Sequence, residues 1–220
     1  MAVLIEADHH RVVIDCGPDF RQQMLRSNVR ALDGIVLTHE HNDHIIGLDD
    51  VRPFNFMNWQ DMPVYGTARV IAELKQRFAY IFARNPYPGA PMIKLTEISR
   101  EQSFALGGLV FQPIEVLHGR LPVLGFRVQN FTYLTDVKTI SEPELQKVKG
   151  TQTLVISALH HKPHHSHLNL AEALELIERI APERAYLTHI SHRMGLHAEV
   201  NKELPPNVAL AYDGLQITVE

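Results

Sequence analysis

The chain has 220 residues and one cysteine, Cys16. That length suits one domain with a sizeable core, here taken as residues 1–220, and a lone Cys excludes an intrachain disulfide or a Cys-rich zinc module and points to a reducing compartment, the cytoplasm. A net charge of −4 with all histidines neutral gives no general attraction to nucleic acid, no apolar run approaches the roughly 20 residues that cross a bilayer, and "MAVLIEADHHRVVID" lacks the basic-then-apolar order of a secretory signal.

Taken along the chain, residues 2–6 and 11–15 read as a β-hairpin about the polar "ADHH", stopped by Cys16-Gly17-Pro18. "FRQQMLR" suits a short helix, and "GIVLT" (34–38) suits a buried strand. Thr67 can cap a helix with Ile71, Leu74, Phe78 and Ile81 on one face, and the Pro-rich "NPYPGAPM" (85–92) is a loop. "FNFMNW" with Trp59 reads as core or pocket wall. Strand-like runs then recur: "LVFQPIEVL", "GFRVQ", "FTYLT" and "TLVISAL". A second helix is expected over Leu170 to Ile180, with Leu170, Leu174 and Ile177 on one face and Asn169 and Glu172 at capping-box spacing. "RAYLT" is a further buried strand, and "NVALAYDGLQITV" suggests a terminal hairpin about Asp213-Gly214.

One regularity links these elements. Five apolar runs hand over to a His or Asp at their carboxyl ends: "GIVLT" to His39, "PIEVL" to His118, "FTYLT" to Asp136, "TLVISAL" to His160 and "RAYLT" to His189. The densest handover is "LTHEHNDH" (37–44), where His39, His41, Asp43 and His44 crowd one strand end. A loop there can wrap these side chains around a small volume, which a helix face cannot. Imidazole and carboxylate suit zinc, manganese or iron, and such a cluster is costly to bury unless a metal or water satisfies it. The chain holds 14 His, so imidazole and carboxylate must do any metal work.

With these motifs the chain resembles the metallo-β-lactamase superfamily, whose signature H-x-H-x-D-H follows a strand and precedes a distant His, an Asp and a last His. "THEHNDH", "VLHG", "YLTD" and "YLTH" supply that pattern, and "VVIDCG" is similar to the superfamily's early Asp motif. The resemblance implies a four-layer αβ/βα sandwich holding two divalent ions, zinc or manganese. It implies that His39, His41 and His118 hold one ion and Asp43, His44 and His189 the other, with Asp136 bridging and Asp15 in support behind them. Two ions about 3.5–4 Å apart lower the pKa of a shared water and neutralise an attacked oxyanion, so hydrolysis is the reaction class expected.

The superfamily covers lactams, thioesters, lactones and phosphodiesters. "DCGPDFRQQML", "THEHNDHIIGLDDVRPFN", "HSHLNLAEAL", "LTHISHRMGLH" and "AYDGL" together resemble the subgroup that includes phosphoribosyl 1,2-cyclic phosphate phosphodiesterase, near the ribonuclease Z branch. Both have an extra His just before a helix, and His167, 22 residues before His189, matches it. A departing alkoxide needs a proton, which makes His167 the candidate acid, with His165 as its substitute; Asp43 is a ligand with a catalytic role. His192, His197 and Arg52 are candidates for substrate phosphate, Arg52 having an internal ion pair with Asp49 or Asp50 as its competing role.

The expected partner is thus a small cyclic ribose-phosphate or nucleotide-like ester, with no membrane and no nucleic acid. The alternatives are a tRNA 3'-processing endonuclease, a lactonase or thioesterase, and a non-catalytic metal-binding relative like the pyrroloquinoline-quinone biosynthesis protein. Members usually begin with one more strand and a Gly-Thr-rich turn, which no residues before Ala2 supply, so the expected fold lacks the usual first strand, as a fragment or shortened start would. Apolar sheet surface left open in this way favours self-association, a homodimer in the simplest case.

Overall fold

The computed structural model describes residues 2–219. Its contacts divide the chain into two compact units, residues 1–110 and 111–220. Each contains a β-sheet with helices connecting its strands, the mixed α/β architecture expected.

The first unit begins with β1 (Val3–Ala7) and β2 (His10–Ile14), an antiparallel hairpin pairing Val3 with Ile14 and Ala7 with His10. Helix α1 (Phe20–Arg26) returns the chain to β3 (Gly34–Val36), parallel to β2. Past β3 come the short α2 (Asn42–Ile45), a 3-10 turn over Ile46–Val51 and α3 (Arg52–Asn58). Strands β4 (Met62–Gly66) and β5 (Ile93–Glu97) complete the sheet in the order β1-β2-β3-β4-β5, with β2 to β5 parallel. Parallel neighbours direct the carboxyl ends of β2 and β3 to one edge, so Asp15 and His39 emerge there. Helix α4 (Ala68–Arg77) joins β4 to the segment before β5, its amino end capped by the Thr67 side chain. The core beneath contains Val13, Ile35, Leu37, Leu48, Val64, Val70 and Leu74.

Helix α4 starts where Thr67 predicts, but Val70 and Leu74 are its buried residues, Ile71 is half-buried, and the helix ends at Arg77 before Phe78. "FNFMNW" departs from the expectation of core or pocket wall. Phe54 is buried, whereas Phe56 and Met57 are half exposed and Trp59 is 83% exposed. The physical reason is that only one side of the short α3 meets the core; Trp59 caps it in a left-handed conformation, φ 52°, beyond its last turn.

In the second unit, β7 (Leu109–His118), β8 (Leu121–Val128) and β9 (Phe131–Leu134) form an antiparallel run entered after β6 (Phe104–Leu106). Beyond them stand the small β10 (Thr139–Ile140), α5 (Glu142–Val148), β11 (Thr153–Ser157), α6 (Leu170–Ile180), β12 (Arg184–Thr188), α7 (His197–Glu203) and β13 (Val208–Leu210). The sheet path is β10-β7-β8-β9-β11-β12-β13, with β9, β11, β12 and β13 parallel. Since β8 is antiparallel to both β7 and β9, β7 runs with the parallel set. The carboxyl ends leading to His118, Asp136, His160 and His189 therefore share one edge of this sheet.

Helix α6 spans the expected residues and carries the full capping box: Asn169 accepts from the Glu172 N–H, and the Glu172 carboxylate accepts from the Asn169 N–H. Its buried face is Ala173, Leu176, Ile177 and Ile180, with Leu170 and Leu174 partly buried beside it. The terminal hairpin does not form. β13 pairs in parallel with β12, and only the turn survives, Leu215 N–H donating to Tyr212 O, with no strand over residues 216–219. A three-residue edge strand is too short to template a stable return strand in water.

Candidate metal centre

The first unit's donors are oriented from behind by Asp15. This carboxylate is fully buried at the end of β2 and holds a left-handed conformation, φ 63°. It accepts from the Thr38 N–H (2.8 Å), the Thr38 hydroxyl (2.9 Å) and His44 Nδ1 (2.6 Å). A carboxylate has no proton to give, so His44 carries its hydrogen on Nδ1 and leaves a lone pair on Nε2. The Thr38 hydroxyl spends its single proton on Asp15. Its remaining lone pair must then receive the Nδ1 hydrogen of His39, 3.0 Å away, which places the ring's lone pair on His39 Nε2.

That Nε2 lies 3.0 Å from His41 Nδ1, and His44 Nε2 lies 3.3 Å from Asp43 Oδ2. Two donors on one tetrahedral zinc, at about 2.0–2.1 Å each, stand about 3.3 Å apart. Both pairs have the spacing of ligands that share an ion. His39 and His44 are fully buried, while Asp43 is open to solvent, its side chain 55% exposed.

In the second unit His118 Nδ1 donates to the carbonyl of Ser166 at 2.8 Å, which again reserves Nε2 as the lone-pair nitrogen. Asp136 stands at the convergence of three imidazoles: its Oδ1 is 3.3 Å from His189 Nε2, 3.6 Å from His167 Nδ1 and 3.9 Å from His118 Nε2. Donor atoms of His118, Asp136 and His167 lie within 4.8 Å of one another. The Thr135 hydroxyl donates to Asp136 Oδ2 at 2.7 Å and directs Oδ1 toward the rings. Asp136 and His189 are both left-handed, φ 55°.

His167 is buried between the rings of His118 (4.4 Å between centroids) and His189 (4.9 Å), and its Nδ1 has no hydrogen-bond partner among the described residues. Burial pushes its pKa down to about 4; the neighbouring imidazoles add to this and Asp136 opposes it. Neutral nitrogen donors beside a buried carboxylate form the donor set a divalent ion completes, so these residues fit the metal expected.

The remaining candidates belong to none of the donor groups found among the described residues, and two have partners of their own. His165 is exposed, next to half-buried His164. Buried His160 contacts the His164 ring at 5.9 Å. His192 is exposed on the loop after His189. His197 starts α7 with Nε2 3.1 Å from Leu210 O, and Arg52 Nη2 is 3.1 Å from Asp49 Oδ2. The sequence reading missed Thr38 and Ser166, because one acts through a single hydroxyl and the other through a backbone carbonyl. Among the described residues, no helix is long and apolar enough to cross a membrane.

The chain is similar to several known proteins. A solved structure of a diphosphatase from the PhnP family superposes with a TM-score of 0.90 at 36% identity, covering 97% of this chain and 81% of that one. An octanoyltransferase from Porphyromonas gingivalis is 38% identical over 211 residues, 96% of this chain and 42% of that protein. A ribonuclease Z from Bradyrhizobium diazoefficiens is 29% identical over 137 residues, 59% of this chain and 44% of that protein. The chain thus spans less than half the length of these two curated relatives. The family model described as the β-lactamase superfamily domain matches residues 10–190, from β2 to just past His189, and the chain belongs to that family.

Proposed function

We propose that the chain is a dinuclear metal-dependent phosphodiesterase for a small cyclic ribose-phosphate or nucleotide-like ester, with His39, His41, Asp43, His44, His118, Asp136 and His189 as ligands of two zinc or manganese ions. The observation that carries the phosphorus-oxygen bond is the close likeness, at 36% identity over nearly the whole chain, to a diphosphatase of the PhnP family. When bound, the ions supply a nucleophile from water at neutral pH and neutralise charge on the attacked phosphoryl group.

The chain's own residues do the rest. Asp15 and Thr38 hold the ring hydrogens of His44 and His39 away from the ligand nitrogens, and the Ser166 carbonyl does so for His118. His167 delivers a proton to the departing alkoxide. With a pKa of about 4 it is neutral at pH 7, so it takes up that proton when an anionic phosphate stands beside it and favours the imidazolium. His192 meets the substrate phosphate. Arg52 and His197 could join only by leaving Asp49 and the Leu210 carbonyl.

A second reading, cleavage of a diphosphate linkage, is favoured by the same relative. Acyl transfer is not part of the proposal. That name belongs to a protein of which this chain matches 42%, and Cys16, the chain's one thiol, is fully buried with its pKa pushed up by burial and by Asp15.

The test is hydrolysis followed by phosphorus NMR, with zinc- or manganese-loaded protein, phosphoribosyl 1,2-cyclic phosphate and a nucleoside diphosphate as parallel substrates, and Asp136→Ala as control. Turnover of the cyclic ester that vanishes in the control supports the first reading. Turnover of the diphosphate alone selects the second. Inactivity on both, with two metals bound, sinks the proposal.

A further inference from the structure

The H-x-H-x-D-H motif leaves two positions open, here Glu40 and Asn42. Both are engaged by helix α4. Arg69 Nε lies 3.1 Å from each carboxylate oxygen of Glu40, and the Arg77 guanidinium donates to the Asn42 side-chain oxygen. Arg77 is further held by Glu73, at 2.6 Å on the preceding turn.

The spacing on α4 is what makes this possible. Arg69, Glu73 and Arg77 follow at i, i+4 and i+8 and so share one face of the helix, while Val70 and Leu74 are its buried residues. Asp15 and Thr38 hold the His39 and His44 rings from behind, and the two α4 arginines take the positions that alternate with the histidines and Asp43. His41 stands at the N-cap of α2 but makes no side-chain capping bond, and α2 is only four residues long. Glu40 is also a carboxylate between two imidazole ligands, well able to compete for an ion if left loose. Its side chain is instead 14% exposed and turned onto Arg69.

We infer that α4 is a brace for the metal-binding loop: Arg69 and Arg77 are positioning residues that anchor Glu40 and Asn42 and thereby hold His39, His41 and Asp43 in the arrangement that binds metal. The inference rests on the metal reading proposed above. It assigns a role to the motif's variable positions, and it makes metal affinity a property of a helix that carries none of the ligands.

The test uses the whole chain, stripped with a chelator and titrated with zinc against a chromogenic competitor, with the visible spectrum of the cobalt form as a second readout. Arg69→Ala and Arg77→Ala are each expected to weaken zinc binding by about 10–100-fold, the usual cost of losing an outer-shell partner, and to shift the cobalt bands. The double variant Glu40→Ala with Arg69→Ala should be no weaker than the worse single change, since both remove one interaction. The charge-swapped pair Glu40→Arg with Arg69→Glu should recover affinity to within a few-fold of the parent. Circular dichroism of the metal-free variants should match the parent, because Arg69 and Arg77 are both partly exposed.

Wild-type zinc affinity and unchanged cobalt bands in both Arg variants would overturn the brace while leaving the metal reading intact. So would losses from Glu40→Ala and Arg69→Ala that simply add. If the parent bound zinc no better than a His39→Ala, His41→Ala control, the metal reading itself would fall and the brace with it.

Discussion

Replacing Asp15 by Asn tests the hydrogen-bond logic behind the site with one atom. Asn has nearly the volume of Asp and tolerates the left-handed backbone this position requires, φ 63°. It differs in presenting one acceptor oxygen and one NH2 donor where the carboxylate presents two acceptors. The Thr38 N–H donates to Oδ1, the Thr38 hydroxyl lies between the two oxygens (3.1 Å from Oδ1, 2.9 Å from Oδ2), and His44 Nδ1 meets Oδ2. If the amide oxygen stays with the Thr38 N–H, the NH2 faces His44 Nδ1 and drives the ring hydrogen to Nε2, the atom proposed as the metal ligand. If the amide turns over, the NH2 faces the Thr38 N–H, donor against donor.

Either way a fully buried group loses a charge-assisted bond, at a cost of about 1–3 kcal/mol of stability. Zinc affinity should fall by about 10–100-fold, by the same outer-shell rule that governs other ligand-orienting partners. Urea unfolding of the metal-free protein reads the first quantity and competitive zinc titration the second. Nitrogen-detected NMR of the histidines reports the tautomer of His44 directly. A variant that keeps Nδ1 protonated and binds two zinc ions with parental affinity would refute the reasoning.

Two further perturbations follow from the same geometry. His167 has its folded pKa depressed from 6.5 to about 4, so the unfolded chain binds more protons between those values and this group's contribution to stability, full above pH 6.5, is lost as pH falls toward 4. Metal-free His167→Gln should therefore show a shallower decline of urea midpoint over that window than the parent, and equal slopes would contradict the burial-driven shift. Gly47 donates to the Cys16 carbonyl, and a Cβ there would lie 2.2 Å from the Gly17 carbonyl oxygen; Gly47→Ala should destabilise by about 1–3 kcal/mol in thermal or urea unfolding, whereas a neutral result would show that the 15–17 and 44–47 segments are free to separate.

What was legible in the sequence is what depends on near neighbours. The strand-then-ligand handovers, the Thr67 and Asn169 caps and the short α1 rest on local spacing, and each appears where its residues stand. The misreadings concern which side of an element finds something to pack against. Val70 and not Ile71 is buried on α4, and Phe56, Met57 and Trp59 face solvent because α3 is too short to bury more than one side. The terminal hairpin failed for a related reason: its first arm was claimed by β12 as a parallel neighbour, a partner more than 20 residues away that no turn signal reveals. Thr38 and Ser166 were invisible because their roles reside in where one proton goes.

Backbone strain gives the site its sharpest feature. Asp15, Asp136 and His189 all adopt φ between 55° and 63°, although none is Gly. Several of the other non-Gly residues with positive φ have evident local reasons: Asp8 lies in the turn of the first hairpin, Gln129 in the turn between β8 and β9, and Trp59 and Ala181 at helix carboxyl ends. The three acidic and imidazole residues lie in no hairpin turn or helix end: Asp15 and His189 directly follow β2 and β12, and Asp136 follows β9 with only Thr135 between. A left-handed residue there turns the chain out of the sheet within one step, so the side chain is delivered at the strand edge instead of continuing the pleat. Each such conformation costs of the order of 1 kcal/mol or more and persists only where neighbouring contacts over-determine it. Asp15 is over-determined by Thr38 and His44, and Asp136 by the Thr135 hydroxyl and its cluster of imidazoles. The same device recurs in both units, on strands that belong to different sheets. That repetition ties the strain to the candidate site and not to any one turn: Asp136 and His189 are two of its candidate donors and Asp15 orients a third, His44, so at these three positions the fold gives up local stability for geometry.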